Sequence, residues 1–340
     1  MVQREFLDFE AFLERSSEFD RAVGQTPGID PFCSSSVWTM PARASFSPHT
    51  EPAIYQLEHG WLAMMRDQFP GWGNCLMPLE FTWQLSCPII GAQPHLIARD
   101  IHLLLREQSD WDTVFFSGLA KNGPQWIALI NELSEHFPMY LIGVSAGRCI
   151  ASLQDGQDGY LSRRSKSFRK NLRNAQRRAK PMDLQWEYWD KPIDRQQTEA
   201  LYNRVLQIEN KSWKGMMDSG LTSDEMRQFY HQMIHMLGPS GNLRLLFVYI
   251  DGKEAGYVLG GMMGPLYRGL QFSFDDQYAA ISLGNLLQWK QINLLIDQGE
   301  QWYDLGTDVP YKHRWAEINF QTHALAISKL PPKVINGTED

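Results

Sequence analysis

Residues 243–274 read LRLLFVYIDGKEAGYVLGGMMGPLYRGLQFSF, and the punctuation of this stretch decides the fold class. Leu243 to Ile250 is an apolar run of strand length. Asp251-Gly252 is a pair that tolerates positive φ at both centres of a two-residue turn, so the run is expected to fold back as a hairpin into a second strand, Glu254 to Met262. Gly264-Pro265 breaks that strand, and a third is expected from Leu266 to Phe274. Downstream, a long apolar helix starts at Ser282-Leu283-Gly284-Asn285 and runs to Asp297, followed by short strands at Trp302 to Leu305 and Thr322 to Ile327. Upstream, a helix is expected from Gln196 to Trp213, with Leu201, Val205 and Ile208 on one stripe. Another runs from Ser223 to Leu237, whose acidic first turn (Asp224, Glu225) suits Ser223 as N-cap. The order is helix, helix, meander, buried helix, strand, strand. It describes a small antiparallel-to-mixed sheet wrapped around one central helix.

The N-terminal half carries a comparable pattern. Strands are expected at Ala53 to Glu58, Trp61 to Arg66 and Leu76 to Trp83, a helix at His95 to Arg106 and a strand at Thr113 to Ser117. A helix at Pro124 to His136 and strands at Met139 to Val144 and Cys149 to Leu153 complete it. Matching the two halves residue by residue fails, so duplication rests on the order of elements alone. Residues 1–50 read as helical turns with a substrate-facing loop between Cys33 and Pro48. A length of 340 residues suits two domains, which this reading places at 1–155 and 156–335.

Bulk properties narrow the function. With 43% hydrophobic residues the chain can bury a substantial core, and its net charge of −7 argues against a surface given over wholly to nucleic acid or anionic lipid. No secretory apolar segment opens the chain and no run approaches the ~18 apolar residues of a membrane span, so a cytoplasmic protein is expected. The four cysteines are scattered and read as buried free thiols. His231 and His235 have the i, i+4 spacing of metal ligands, but no third ligand shows in the sequence, and they read as helix-surface histidines with no metal. Against the acidic average, Arg163, Arg164, Lys166, Arg169, Lys170, Arg173, Arg177, Arg178 and Lys180 fall within eighteen residues that hold no acid. On a helix, Phe168, Leu172, Ala175 and Ala179 form its apolar stripe and the cations its outer wall, which offers a surface to an acidic acyl carrier protein, to coenzyme A or tRNA phosphates, or to solvent.

Three further segments suggest chemistry. Ser282, Gly284 and Asn285 form a tight helix start, where unpaired backbone N–H groups and the dipole favour phosphate. Glu209 with Ser212-Trp213-Lys214-Gly215 places a stacking wall and a cation at a helix end, or simply anchors that helix. Asp304-Leu305-Gly306 leaves a strand toward the cationic cluster Tyr311-Lys312-His313-Arg314-Trp315.

Together with Ser167-Phe168-Arg169-Lys170-Asn171-Leu172-Arg173, these segments, in this order, make residues 160–327 resemble the GNAT acyltransferases of the polysaccharide-biosynthesis (CelD-like) type, related to the Fem-like double-GNAT transferases. The resemblance implies an α/β mixed-sheet GNAT fold in two tandem units, the N-terminal one degenerate. It also implies an N-acyltransferase that moves an acyl group from an acyl-CoA or an acyl carrier protein to the amine of an amino sugar, amino acid or peptide. A Fem-like ligase using aminoacyl-tRNA and a non-catalytic GNAT-like module are the competing readings. The sequence departs from the family in having Ser282-Leu283-Gly284 where Ser-Pro-Gly is common, and in lacking the Arg/Gln-x-x-Gly-x-Gly/Ala phosphate loop.

Transfer from a thioester to an amine requires a free amine, donors for the tetrahedral oxyanion and a route for protons. The resemblance puts the oxyanion donors on splayed backbone at the end of the strand Leu270 to Phe274. Asp275, Glu209 and Asp304 are the candidate bases and Tyr311 the candidate acid for the leaving thiolate. Ser282, Gly284, Asn285, Lys312 and Arg314 are the candidate coenzyme ligands. Trp213, Lys214, Arg169 and Arg173 are the candidate substrate contacts.

Overall fold

A computed structural model describes residues 4–212, 220–221 and 223–329. The chain divides into two compact units, Met1–Ala146 with Gln321–Asp340, and Gly147–Phe320.

The first unit opens with β1 (Glu5–Leu7) and the helices α1 (Phe9–Glu14), α2 (Ser16–Gln25), α3 (Pro31–Ser34) and α4 (Ser36–Phe46). The loop expected between Cys33 and Pro48 is therefore largely helical. Pro31 occupies the first turn of α3, where a missing N–H costs nothing, and α4 accommodates Pro41 because Trp38, Met40 and Ala42 are buried along it. A meander follows: β2 (Glu51–Leu57), β3 (Gly60–Phe69) and β4 (Gly73–Pro78), antiparallel in sequence, with the two-residue β5 (Ile89–Ile90) beside β3. The amphipathic helix α5 (Pro94–Glu107) then crosses over to β6 (Thr113–Ala120), which runs parallel to β4. After α6 (Pro124–Leu133) comes β7 (Met139–Ser152), a single long strand where the sequence suggested two. The backbone stays extended through residues 145–148, between the two expected strands.

In this unit β4 and β6 pair only at Cys75–Thr113 and Leu76–Val114. Beyond that point residues 80–88 occupy the gap. The Gln84 carbonyl accepts from Gly118 N at 3.2 Å and the Ser86 carbonyl from Ser117 Oγ at 2.7 Å. The buried Glu80 carboxylate gathers the backbone N–H groups of Trp83, Gln84, Leu85 and Ser86 at 2.6–3.2 Å. Gly118 is required here: its φ is +64°, and a Cβ would lie 2.4 Å from the Ser86 carbonyl carbon.

The second unit begins within β7 and continues with α7 (Gly156–Ser162), α8 (Lys166–Ala179), β8 (Leu184–Trp189), α9 (Arg195–Glu209) and α10 (Asp224–Leu237). α8 buries Phe168, Leu172, Ala175 and Ala179, the stripe expected from sequence. β8 was not foreseen: it is an edge strand paired only to its neighbour, and nearly all its side chains are half-exposed, so no alternation marks it. The meander is β9 (Leu243–Ile250), β10 (Lys253–Met263) and β11 (Leu266–Phe274). Asp251 and Gly252 turn the first hairpin at φ +50° and +74°. α11 (Leu283–Asp297) buries residues all round, including Leu283, Leu287, Gln291 and Ile292, as a helix enclosed by its unit must. It leads to β12 (Trp302–Thr307), parallel to β11, and then to β13 (Ile318–Ser328). Both units thus run meander, helix, parallel strand, although their residues do not align.

Candidate active site

The geometry of the second unit turns on where β11 and β12 part. They pair at Leu266–Trp302, Tyr267–Tyr303 and Arg268–Asp304, and no further. Directly after this point β11 carries a bulge: Leu259 and Gly260 of β10 face Gln271 and Gly269, leaving Leu270 as the extra residue. A bulge sharpens twist and bends its strand, so β11 and β12 diverge beyond the Arg268–Asp304 pair. No segment comparable to residues 80–88 fills this gap among the described residues.

The bulge also resets which side chains face which way. Before it, Tyr267 packs with Trp289, Ile292 and Leu295 of α11; after it, Phe272 and Phe274 pack against the start of the same helix. Tyr257 and Gln271 therefore point to the opposite face, where they meet α9 and α10: the Tyr257 hydroxyl donates to Glu209 Oε2 at 2.8 Å, and Gln271 Nε2 donates to the Tyr230 hydroxyl at 3.2 Å.

On the α11 face, the turn Pro310–Arg314 is held down by Trp315, which is 3% exposed, stacks edge-on against Phe168 (4.7 Å between centroids) and accepts at its carbonyl from Tyr160. So anchored, it presents three of the expected residues. The Tyr311 ring approaches Phe272 of the splayed strand at 6.5 Å, and burial pushes its hydroxyl pKa up, so it stays protonated at neutral pH. Lys312 Nζ donates to the Thr307 carbonyl at 3.0 Å. Arg314 reaches Asn285 Oδ1 at 3.5 Å. A cavity of about 230 Å³ opens here, lined by Ser165, Ser167, Asn171, Asn285 and Arg314 among others. The first turns of α8 and α11 both contribute to it, so two positive helix ends and a guanidinium converge on one hollow. Ser165, Ser167 and Asn171 were not singled out from sequence, although Ser167 and Asn171 stand i, i+4 within the α8 motif.

The helix start itself differs from expectation in detail. Ser282 sits at φ +61° without capping through its side chain, and its hydroxyl accepts from Arg178 at 2.8 Å. Gly284 makes room for a ring: a Cβ there would lie 2.8 Å from Phe274. Asp275 accepts from Gln277 N and Nε2 at the end of β11. Glu209 is 1% exposed and accepts from Tyr257 and, at 3.4 Å, from Leu221 N. Asp304 is wholly buried between Arg148 and Arg268, with its other oxygen on Gly306 N at 2.7 Å. Burial alone would raise its pKa; the two guanidiniums and that N–H outweigh burial and hold it below the ordinary range. Arg169 donates to the Leu161 carbonyl and Arg173 is exposed, and neither lines the cavity. Of the basic run, Arg163 pairs with Glu317 and Asp155, and Arg164 with Glu317. Trp213 and Lys214 lie outside the described residues. The four cysteines are free and buried, and burial pushes the Cys149 thiol up to about 11.

A meander, a central helix whose start meets a parallel strand pair, and a splay at that pair are the marks that comparison with known proteins then identifies. Residues 166–313 match the family described as acetyltransferase (GNAT) domain. The fold is GNAT. The structure of FemX superposes with a TM-score of 0.64 at 10% identity, covering 95% of this chain and 96% of that one. A conserved protein of unknown function from Bacteroides thetaiotaomicron gives 0.62 at 12% identity, covering 97% and 100%. At these identities the likeness shows a shared fold over most of the chain and no activity. No curated protein matches the chain in sequence.

Proposed function

We propose that the second unit is an N-acyltransferase that takes its acyl group from a thioester, coenzyme A-bound or carrier-bound, and passes it to an amine through the splay between β11 and β12. The observation that carries this reading is the splay with its two chemically different faces. The α11 face offers the Ser165, Asn285 and Arg314 hollow for a phosphate-bearing donor arm. The α9–α10 face offers Glu209, buried and hydrogen-bonded to Tyr257, for an amine.

In this scheme the thioester carbonyl lies between β11 and β12 beyond the Arg268–Asp304 pair, where backbone N–H groups hold the developing oxyanion. The amine, freed of a proton through Glu209, attacks the carbonyl carbon. The C–S bond breaks and Tyr311, on the donor face and protonated, returns a proton to the departing thiolate. Asp304 is wholly buried between two guanidiniums, out of reach of an ammonium; with Arg148 and Arg268 it pins the apex of the splay. The plugged gap of the first unit suits a unit that shapes the protein without carrying a second reaction centre.

The test is thermal stabilisation by a ladder of acyl-coenzyme A thioesters, acetyl to palmitoyl, with free coenzyme A and bulk tRNA as comparators, because a ligand that selects the native state raises its stability. A shift that depends on the acyl chain and disappears in Arg314→Ala supports the proposal. Silence from every thioester together with a salt-sensitive shift from tRNA, through the exposed cations of α8, would replace it with an aminoacyl-tRNA donor.

A further inference from the structure

We infer that Glu199, His231 and His235 form a binding site for a single divalent transition-metal ion of the zinc class, clipping α9 to α10. His231 and His235 stand one turn apart on α10, and the third ligand, which no local spacing reveals, comes from the first turns of α9. His231 Nε2 lies 2.7 Å from Glu199 Oε2, His235 Nε2 lies 3.0 Å from the same oxygen, and the two nitrogens are 3.2 Å apart. Three ligand atoms on a tetrahedron around zinc, with bonds of about 2.0–2.1 Å, stand about 3.4 Å from one another. Widening these separations by roughly 0.2–0.7 Å thus admits the ion.

The surroundings fit a ligand set better than an incidental contact. Two imidazoles and one carboxylate are the donors that zinc, cobalt and nickel favour. Glu199 is oriented: its Oε1 accepts from Asn203 Nδ2 at 3.4 Å, which turns Oε2 toward the histidines. His231 is braced by the Tyr202 ring at 5.3 Å. The side chains of His231 and His235 keep 36% and 14% of their exposure, and Glu199 borders an open hollow with Arg195, Gln196, Ala200 and Asn203, so an ion and a completing water can reach the site. The Glu199 ligand lies near the start of α9, while Glu209 closes the other end of that helix. The ion therefore acts on the spacing of two helices and stays apart from the acyl-transfer chemistry proposed above.

The full chain, stripped with a chelator, is titrated with Co(II) and its visible absorption followed, then back-titrated with Zn(II). One equivalent of cobalt giving the intense visible bands of a four-coordinate ion, displaced by zinc, with a rise in Tm for the zinc form, is expected. In His231→Ala, His235→Ala and Glu199→Gln, whose metal-free unfolding is checked by circular dichroism, the bands and the Tm rise are lost. Cys149→Ser, at the nearby cluster of Cys149, Asp308 and His313, leaves both unchanged. Absence of any cobalt band and any zinc-dependent Tm shift in the wild type overturns the inference, as does binding that survives all three ligand substitutions or gives sulfur-to-cobalt bands abolished by Cys149→Ser.

Discussion

Replacing Asp304 by asparagine changes one charge and almost no volume, at a point where the structure has little tolerance for either. The carboxylate is 0% exposed, and its guanidinium partners Arg148 and Arg268 are 2% and 3% exposed. Asparagine can still accept from Gly306 N, but its amide then turns N–H groups toward two guanidiniums that have lost their counter-charge. Removing one member of a buried ion pair typically costs about 3–5 kcal/mol, because the remaining charge stays desolvated. A loss of that size is expected as a lower urea midpoint for the second unit, followed by tryptophan fluorescence and circular dichroism together. The triple replacement Asp304→Leu, Arg148→Met, Arg268→Met should recover most of it, since an apolar set of similar volume needs no compensation. The pH dependence has a definite sign. The folded pKa lies below the unfolded value of about 3.9, so the stability this group adds is present above roughly pH 4 and is lost as pH falls through the folded pKa. The gap between wild type and Asp304→Asn should therefore close in acid. A variant within about 1 kcal/mol of wild type at pH 7, or a gap that widens on acidification, would refute the account of Asp304 as an anchored ion.

Arg314→Ala should weaken the thioester donor about ten- to a hundredfold, seen as a raised KM with smaller change in kcat, since a lost hydrogen bond to a charged group is worth about 1.5–3 kcal/mol. Tyr311→Phe should instead lower kcat, by on the order of a hundredfold, with donor binding intact by calorimetry; an unchanged kcat removes Tyr311 from the scheme. Leu172→Ala, on the buried stripe of α8, should cost about 2–5 kcal/mol, whereas Arg173→Ala on its outer wall should stay within about 0.5 kcal/mol in the same unfolding assay. Gly118→Ala should destabilise the first unit by about 2 kcal/mol or more, through its positive φ and the carbonyl it would strike, and normal stability would show that residues 80–88 can be displaced from the gap.

Much of the second unit was legible because its signals are local. The Asp251-Gly252 turn, the Gly264-Pro265 break and the four-residue stripe of α8 each lie within a few residues of what they specify. The bulge at Leu270 was not legible, since it exists only in the mismatch between two strands, and the splay is its consequence. The same holds for Glu199, thirty-two residues from His231, and for Ser165 and Ser167, which become part of a cavity only when Asn285 and Arg314 are brought to them. α4 went unread because burial of Trp38 and Met40 overrides a composition of serine and proline.

The chain passes from one unit to the other in mid-strand, at Ala146–Gly147 within β7, and returns in mid-strand at Phe320–Gln321 within β13. Arg148 and Ile150 to Ser152 supply strand neighbours to β12, while Thr322–Ser328, more than two hundred residues from its partner, supplies them to β6. No single cut separates the units without stripping a strand from one sheet. The β6 ladder of the first unit is therefore completed only by a strand that lies beyond the whole second unit in sequence.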